Sequence, residues 1–361
     1  MTEPLDDEAG IETSPAIEPV MAHYDSVRTS RVTALDHAGG FSGACFWRLE
    51  TAAGPLCLRA WPPEHPSFER LRWIHGLLAH VWRQGFREVP VPLCDRRGNT
   101  LVRHGDRYWE LAPWLPGKAD YRQHPSRARL ASAMKALARF HVAAESFNGA
   151  LGSGALDCAG VPQPTARPAF GAAPALLERK QLVSDFLGEH AERIGQALRP
   201  ELWPELYHRA RRVADLFPRV ARRIQCELED AAGVVVPLQP CLRDVHDQHV
   251  LFTGEAVSGL IDFGASRQEC VAADLARLLG SCVGDDRPAW REALDDYRRL
   301  RTLSREEEGL VPVYDRSGVL LGPMLWLRWI YCEGRFSWRP AAALARIDEG
   351  LARLERLAAG E

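Results

Sequence analysis

The sequence predicts an α+β chain in two lobes, a small antiparallel β-rich N-lobe followed by a larger, mainly helical C-lobe. Residues 20–111 carry short strand patterns separated by Gly- and Pro-containing turns, as antiparallel hairpins do. A stiff apolar connector spans residues 112–118, Ala-Pro-Trp-Leu-Pro-Gly-Lys, and two prolines in so short a run suit a hinge. From 119 to 361 apolar residues recur at helical spacing, interrupted by one further hairpin.

With 361 residues the chain can bury a large core. Its hydrophobic content of 46% and charged content of 26% are ordinary for a soluble globular protein. A net charge of −3 leaves no basic excess to neutralise phosphates, so no nucleic-acid partner is expected. Nine cysteines without a close CxxC pair argue against zinc or a disulfide framework, and reduced thiols are expected. No apolar run approaches the ~20 residues of a membrane span, and Glu3, Asp6, Asp7 and Glu8 are the opposite of a secretion signal. A cytoplasmic protein with no membrane partner is expected; oligomeric state leaves no sequence signal.

Taken in order, residues 1–19 read as a disordered leader and 19–24 as the start of a short helix. Strands are expected at 32–35, 44–50 and 56–61, with a Gly-rich turn between the first two. In that turn Gly39, Gly40, Ser42 and Gly43 let backbone N–H groups approach phosphate oxygens without Cβ interference; a plain turn is the alternative. The GxxxxGK[ST] loop is absent. Arg59 ends the third strand, either as a cation for phosphates or as an exposed strand-end residue. Residues 68–84 form a helix with Leu71, Ile74, Leu77, Leu78, Val81 and Trp82 on its apolar face. Glu69 in its first turns either pairs with Arg59 or is solvated. Strands at 100–102 and 107–111 complete the sheet.

Beyond the hinge, residues 126–144 make an amphipathic helix capped by Ser126, with Leu130, Met134, Leu137 and His141 on one stripe; His141 reads as packing. Residues 148–174 read as a loop. Three helical patterns follow to 232, broken near Arg199-Pro200 and Phe217-Pro218. Further helices are expected at 272–282, 287–300, 320–333 and 341–359.

The stretch 241–279 carries the chemistry. Val250-Leu251-Phe252 and 257–261 are strands joined by Thr253-Gly254-Glu255. This hairpin delivers Asp244, in the loop before it, and Asp262, just after it, to the same side. Two carboxylates so placed suit phosphoryl transfer, one orienting the attacking hydroxyl and the other holding Mg²⁺. Loop aspartates also cap turns, but here Asp244, His246, Asp262 and Asp274 occur as a set.

In this order, β lobe, Gly-rich turn, strand-end cation, Pro-Gly hinge, ALARFH helix, Asp loop, hairpin and IDFG, the chain resembles the aminoglycoside phosphotransferase family. That group includes choline, homoserine and fructosamine kinases and shares the protein-kinase-like fold; the resemblance spans roughly residues 20–335. The family loop H-G-D-x-H-x-x-N corresponds to Leu242-Arg243-Asp244-Val245-His246-Asp247-Gln248-His249, and its I-D-[FW] to Ile261-Asp262-Phe263. The resemblance implies that Asp244 orients the acceptor and takes its proton, Asp262 binds Mg²⁺, and Asp274 supports the loop. It also implies ATP between the lobes, adenine near Glu110 and Ala112, and phosphates under Gly39 to Gly43 beside Arg59.

Three positions depart from the family. Leu242-Arg243 replaces His-Gly, Arg59 replaces the strand lysine, and His249 replaces the metal-binding Asn. Mg²⁺ prefers oxygen ligands, so Asp262 carries the metal nearly alone, Mn²⁺ serves with His249, or catalysis is impaired. His246 keeps the family His, and Asp247 offers a replacement carboxylate. The expected activity is ATP-dependent phosphorylation of a small-molecule hydroxyl. The alternative is a nucleotide-binding pseudokinase or ligand-binding regulator. The acidic runs Asp285-Asp286, Asp295-Asp296 and Glu306-Glu307-Glu308 either suit an amino-containing acceptor or are solvated faces. Trp326, Trp329, Tyr331, Phe336 and Trp338 either line a pocket or pack as core.

Overall fold

The computed structural model describes residues 16–25, 27–35, 43–147, 149, 169–201, 203–334 and 340–360. Most of the expected leader and of the 148–174 loop, together with Gly39, Gly40, Ser42, Phe336 and Trp338, lie outside these residues.

The N-lobe opens with helix α1 (Ile17–Met21), which starts two residues before the short helix expected from 19, because Ile17 and Val20 bury against the sheet. Strands β1 (Thr29–Ala34), β2 (Cys45–Thr51) and β3 (Leu56–Ala60) form an antiparallel meander. Helix α2 (Phe68–Arg83) follows, capped by Ser67, whose hydroxyl accepts the Arg70 N–H at 3.3 Å. Strands β4 (Val102–His104) and β5 (Arg107–Pro113) complete a five-stranded sheet in the order β1-β2-β3-β5-β4. Trp47 and Trp109 stack at 5.2 Å in its core. Trp82, expected on the apolar face of α2, is instead 45% exposed beneath the Arg87 guanidinium; the buried stripe is full without it.

The connector at 112–118, expected as a hinge, is fastened to the hairpin at 250–260. Lys118 and Phe252 exchange backbone hydrogen bonds of 3.0 and 2.9 Å, and Ser258 Oγ donates to the Pro116 carbonyl at 2.6 Å. Gly117 has φ +97°, and a Cβ there would lie 2.3 Å from Ser258 Oγ and 2.6 Å from the Phe252 carbonyl. Only glycine lets the two backbones meet so closely.

Helix α3 (Arg127–Ala144) runs as expected, with Ser126 accepting the Arg129 N–H at 3.0 Å. Next come β6 (Ala169–Ala172), α4 (Pro174–Asp185), a π-turn, α5 (Ala191–Ala197), α6 (Pro204–Ala231) and β7 (Val235–Cys241). Strand β7 sits between β6 and β10 (Arg267–Glu269). Between β7 and β10 lie a 3₁₀ turn and the hairpin, β8 (Val250–Thr253) and β9 (Ala256–Leu260). Helices α7 (Ala272–Val283), α8 (Arg287–Arg298), α9 (Arg305–Leu327), a second π-turn and α10 (Pro340–Ala359) close the lobe.

Two helical expectations are corrected. Helix α6 runs through Pro218, because Leu206, Ala210, Val213, Phe217, Val220, Ile224 and Leu228 bury one continuous stripe. Burying several such side chains at about 1.5–3 kcal/mol each outweighs a helix-proline penalty of about 3 kcal/mol. Helix α9 starts at residue 305 rather than 320, set by a capping box between Ser304 and Glu307, and it passes through Pro312 and Pro323. The thiol expectation also fails at one position: Cys94 is disulfide-bonded. No helix among the described residues is long and apolar enough to cross a membrane.

Candidate active site

The loop after β7 is built from beneath by Asp274. That carboxylate, fully buried at the start of α7, accepts the N–H groups of Leu242 at 2.7 Å and Arg243 at 2.6 Å. His141 Nε2 lies 3.1 Å from the same carboxylate, and Tyr297 Oη lies 2.7 Å from His141 Nδ1. An ionised carboxylate only accepts, so His141 donates from Nε2 and accepts the hydrogen bond of the Tyr297 hydroxyl at Nδ1. Burial pushes the His141 imidazole below its usual value, against the pull of Asp274. His141 therefore does more than pack: it completes the support of the loop.

That support holds an unfavourable backbone. Arg243 has φ +66° and Asp262 φ +60°, the non-glycine residues in the left-handed region among those described. Each costs about 1–3 kcal/mol and persists only where the surroundings enforce it. Arg243 pairs with Glu178, and both border the cleft. The twist at 243 presents Asp244, half-exposed, to the cleft.

Asp244 is held by a residue that sequence reasoning missed. Arg277, on the same helix as Asp274, directs Nε and one terminal nitrogen at Asp244 Oδ1, at 3.1 and 3.0 Å. Asp244 Oδ2 makes no hydrogen bond among the described residues. Arg277 follows Asp274 by three positions, which was the available signal, because i,i+3 residues share a helix face.

His249 and Asp262 meet at the base of the hairpin, where the Ile261 N–H donates to the His249 carbonyl at 3.0 Å. His249 Nδ1 donates to the Asp244 carbonyl at 2.8 Å, and its ring stacks on buried His246 at 3.8 Å. The other nitrogen, Nε2, faces Asp262 Oδ2 at 3.6 Å. A ring fixed by an Nδ1–H···O=C bond presents Nε2 as a ligand atom. Asp244, His246 and His249 also offer ligand atoms within 4.8 Å of one another. Asp247, offered as a replacement carboxylate, is buried 2.8 Å from Arg122 and 3.7 Å from His246 Nδ1, and does not join the ligand atoms of Asp244, His246 and His249.

Across the cleft, Arg59 lies 3.9 Å from Asp262 Oδ1 and 3.3 Å above the Trp61 ring. Glu69 is exposed in the first turn of α2 and does not meet Arg59. A different carboxylate sits beside that cation, on the neighbouring strand: Arg59 and Glu110 are register partners. Glu110 accepts from Trp61 Nε1 at 2.8 Å, and His75 of α2 approaches it at 2.7 Å. Burial pushes the Glu110 carboxyl up, but His75, Arg59 and Trp61 outweigh it and hold it below the usual range. Glu110 and Ala112 both border the cleft, although the Glu110 side chain is committed to these partners. Gly43, the described residue of the flap, has φ +74°.

The cleft between the lobes has a volume of about 1150 Å³. The acidic runs do not line it as free carboxylates. Asp285 pairs with Arg353 and Arg356, Asp286 caps α8, Asp295 and Glu308 pair with Arg298, Asp296 with Arg127 and Arg299, and Glu307 with Arg301. Trp326 and Trp329 do border it, edge to face at 5.4 Å.

Comparison with known proteins bears on the family and the fold. The model of the phosphotransferase enzyme family matches residues 33–308. A homoserine kinase of Rhodopseudomonas palustris is 28% identical over 279 residues, covering 75% of this chain and 72% of that protein. One from Gluconobacter oxydans is 26% identical over 317 residues, covering 86% and 84%. Among solved structures, spectinomycin phosphotransferase bound to ADP and spectinomycin has a TM-score of 0.60 at 12% identity, covering 94% of this chain and 97% of that one. Amicoumacin kinase, solved with AMP-PNP and Ca²⁺, has a TM-score of 0.59 at 12% identity, covering 94% and 96%. The fold is thus kinase-like, and the chain belongs to the phosphotransferase enzyme family.

Proposed function

We propose that this site moves the γ-phosphoryl group of ATP to a hydroxyl of a small molecule, with Asp244 facing the acceptor and Asp262 and His249 holding a divalent metal. The convergence of Asp244, His249 and Asp262 on one side of the cleft, with Arg59 opposite, carries the reading. Adenine fits the apolar slot between Cys57 and Ala112 of the sheet and Leu251 and Ile261 of the hairpin. Its phosphates then run beside Arg59 toward Gly43. The named relatives support a small hydroxylated acceptor.

A bound divalent metal supplies charge neutralisation across the β- and γ-phosphates. The donor set of one carboxylate and one oriented imidazole suits Mn²⁺ better than Mg²⁺, which favours oxygen. Arg277 fixes Asp244 through Oδ1, leaving Oδ2 for the acceptor hydroxyl. As the acceptor oxygen bonds to the γ-phosphorus, its proton passes to Asp244. The bond to the β–γ bridging oxygen breaks, and its electron pair leaves with ADP. Such catalysis rests on positioning and charge stabilisation.

A second reading, a nucleotide-binding regulator without turnover, draws on Arg59, whose guanidinium is spread over the Trp61 ring. ADP release over a panel of hydroxylated amines, amino acids and sugars, in Mg²⁺ and in Mn²⁺, separates the two. Asp244→Ala is expected to abolish transfer and leave AMP-PNP affinity within a few-fold. Wild-type turnover by that variant sinks the assignment; AMP-PNP binding with no turnover in either metal favours the regulator.

A further inference from the structure

Strand alternation turns Cys57, Arg59 and Trp61 onto the cleft, together with Glu110 and Ala112 of β5. Trp61 extends β3 by one ladder bond, its N–H donating to the Tyr108 carbonyl at 2.8 Å. Phe46 of β2 is the register partner of Arg59 on the other side. The Arg59 guanidinium lies 3.3 Å from the centroid of the Trp61 ring and 5.0 Å from that of Phe46. Its side chain is only 12% exposed, its Nε is buried without a partner, and it makes no hydrogen bond among the described residues. Glu110, beside it in register, makes no ion pair with it. Glu110 Oε2 instead meets Trp61 Nε1 at 2.8 Å and His75 Nε2 at 2.7 Å. An ionised carboxylate only accepts, so both of these nitrogens donate. Buried His75 is braced in turn at Nδ1 by Thr100 Oγ1 at 2.7 Å. The far edge of the buried indole rests on the turn after Asp262, where a Cβ at Gly264 would stand 3.7 Å from it.

We propose that Trp61 positions Arg59 for the nucleotide phosphates by holding the guanidinium on its face, and that Glu110 and His75 act through the indole rather than on the cation. The proposal rests on the nucleotide-binding part of the reading above and deepens it by naming the residues that aim the cation. A carboxylate partner would take up guanidinium N–H groups and cancel their charge. A ring beneath the guanidinium plane does neither, because the N–H donors point outward within that plane. Arg59 therefore keeps its charge and its donors for phosphate oxygens, which a planar fork meets in pairs. The bond from Nε1 to Glu110 stops the indole turning, and His75 with Thr100 holds Glu110 in place. Contact with Gly264 fixes how far the ring reaches across the cleft, and with it the 3.9 Å spacing of Arg59 from Asp262. Trp61, Glu110 and His75 are thus positioning residues, and Glu110, expected beside adenine, serves the phosphate end.

The full chain is titrated by calorimetry with adenosine, ADP and AMP-PNP in the presence of Mn²⁺, alongside Trp61→Leu, Trp61→Phe, Glu110→Ala and the Trp61→Phe, Glu110→Ala double variant. Phenylalanine keeps a ring face and drops the Nε1–H; leucine drops both. Trp61→Leu is expected to weaken AMP-PNP binding about 10-fold, the scale of a desolvated cation–π contact, and to leave adenosine binding unchanged. Trp61→Phe is expected to recover part of that loss. Glu110→Ala is expected to weaken AMP-PNP in the native background and to cost nothing further beside Trp61→Phe, where its route through the indole is already gone. Equal losses for adenosine and AMP-PNP in Trp61→Leu would show that the indole only packs the slot, and overturn the proposal; so would an unchanged AMP-PNP affinity. Additive losses in the double variant overturn the indole route and make Glu110 a direct electrostatic partner of Arg59. If Trp61→Leu does not fold, the cycle between Trp61→Phe and Glu110→Ala decides. A native chain that binds AMP-PNP no more tightly than adenosine overturns the nucleotide reading itself, a failure separate from any difference among the variants.

Discussion

Replacing Asp274 with Asn tests whether the catalytic loop is held from below. Asp274 is fully buried and takes three donors, the N–H groups of Leu242 and Arg243 at 2.7 and 2.6 Å and His141 Nε2 at 3.1 Å. An amide oxygen in the place of Oδ2 keeps the Leu242 and His141 donors, and the NH₂ then confronts the Arg243 N–H donor to donor. One charge-assisted bond is lost, at about 1.5–3 kcal/mol. That is a large part of a net stability of about 5–15 kcal/mol, so urea unfolding followed by tryptophan fluorescence should show a clearly lower midpoint. Arg243 is then free to leave φ +66°, which returns about 1–3 kcal/mol of strain and displaces Asp244. A displacement of ~1 Å costs about 100-fold in kcat. Arg243→Gly in the Asp274→Asn background should recover part of the rate, because glycine adopts φ +66° without strain. A variant with wild-type midpoint and wild-type kcat would refute the reasoning.

Three further outcomes are expected. His249→Asn should raise the Mg²⁺-supported rate relative to Mn²⁺, since an amide oxygen replaces the imidazole nitrogen 3.6 Å from Asp262; an unchanged metal ratio removes His249 from the metal site. Gly117→Ala places a Cβ 2.3 Å from Ser258 Oγ and 2.6 Å from the Phe252 carbonyl, and should cost about 1–3 kcal/mol as overpacking does, plus the strain of φ +97°; an unaltered urea midpoint contradicts the close approach. Burial lowers the pKa of His141 in the folded protein, so its contribution to stability is complete above the unfolded value of about 6.5 and lost as pH falls below it. His141→Gln should therefore flatten the stability–pH slope below pH ~6.5 by up to about 1.4 kcal/mol per unit; identical slopes would mean that His141 takes up its proton equally in both states.

How much of this was legible in the sequence depends on range. The hairpin, the turn at Gly254 and the placement of Asp244 and Asp262 either side of it follow from alternation and turn chemistry within twenty residues. The caps at Ser67 and Ser126 are equally local, and so is the box at Ser304–Glu307, whose S-x-x-E pattern was there to be read. Where local signals misled, a tertiary term was larger: the prolines at 218, 312 and 323 do not break helices whose apolar stripes are buried.

By itself the sequence determined the order of a β-rich region before a helical one and the spacing of the three aspartates, because each is written in neighbouring residues. Only the tertiary structure decided what the charged groups do. Periodicity reports which face of a helix is buried, not which side chain from elsewhere meets it. The acidic runs read as either a pocket or solvated faces, until arginines drawn from α3, α8 and α10 neutralised most of them. Glu69 read as either a partner of Arg59 or a solvated residue; it is solvated, and Glu110 on the adjoining strand stands beside Arg59, fixed by His75 from α2. Arg122 reaches Glu349 across 227 residues of chain, and that closure brings α10, with Arg346, to the mouth of the site. Charge is satisfied by proximity in space, and space is what the fold supplies.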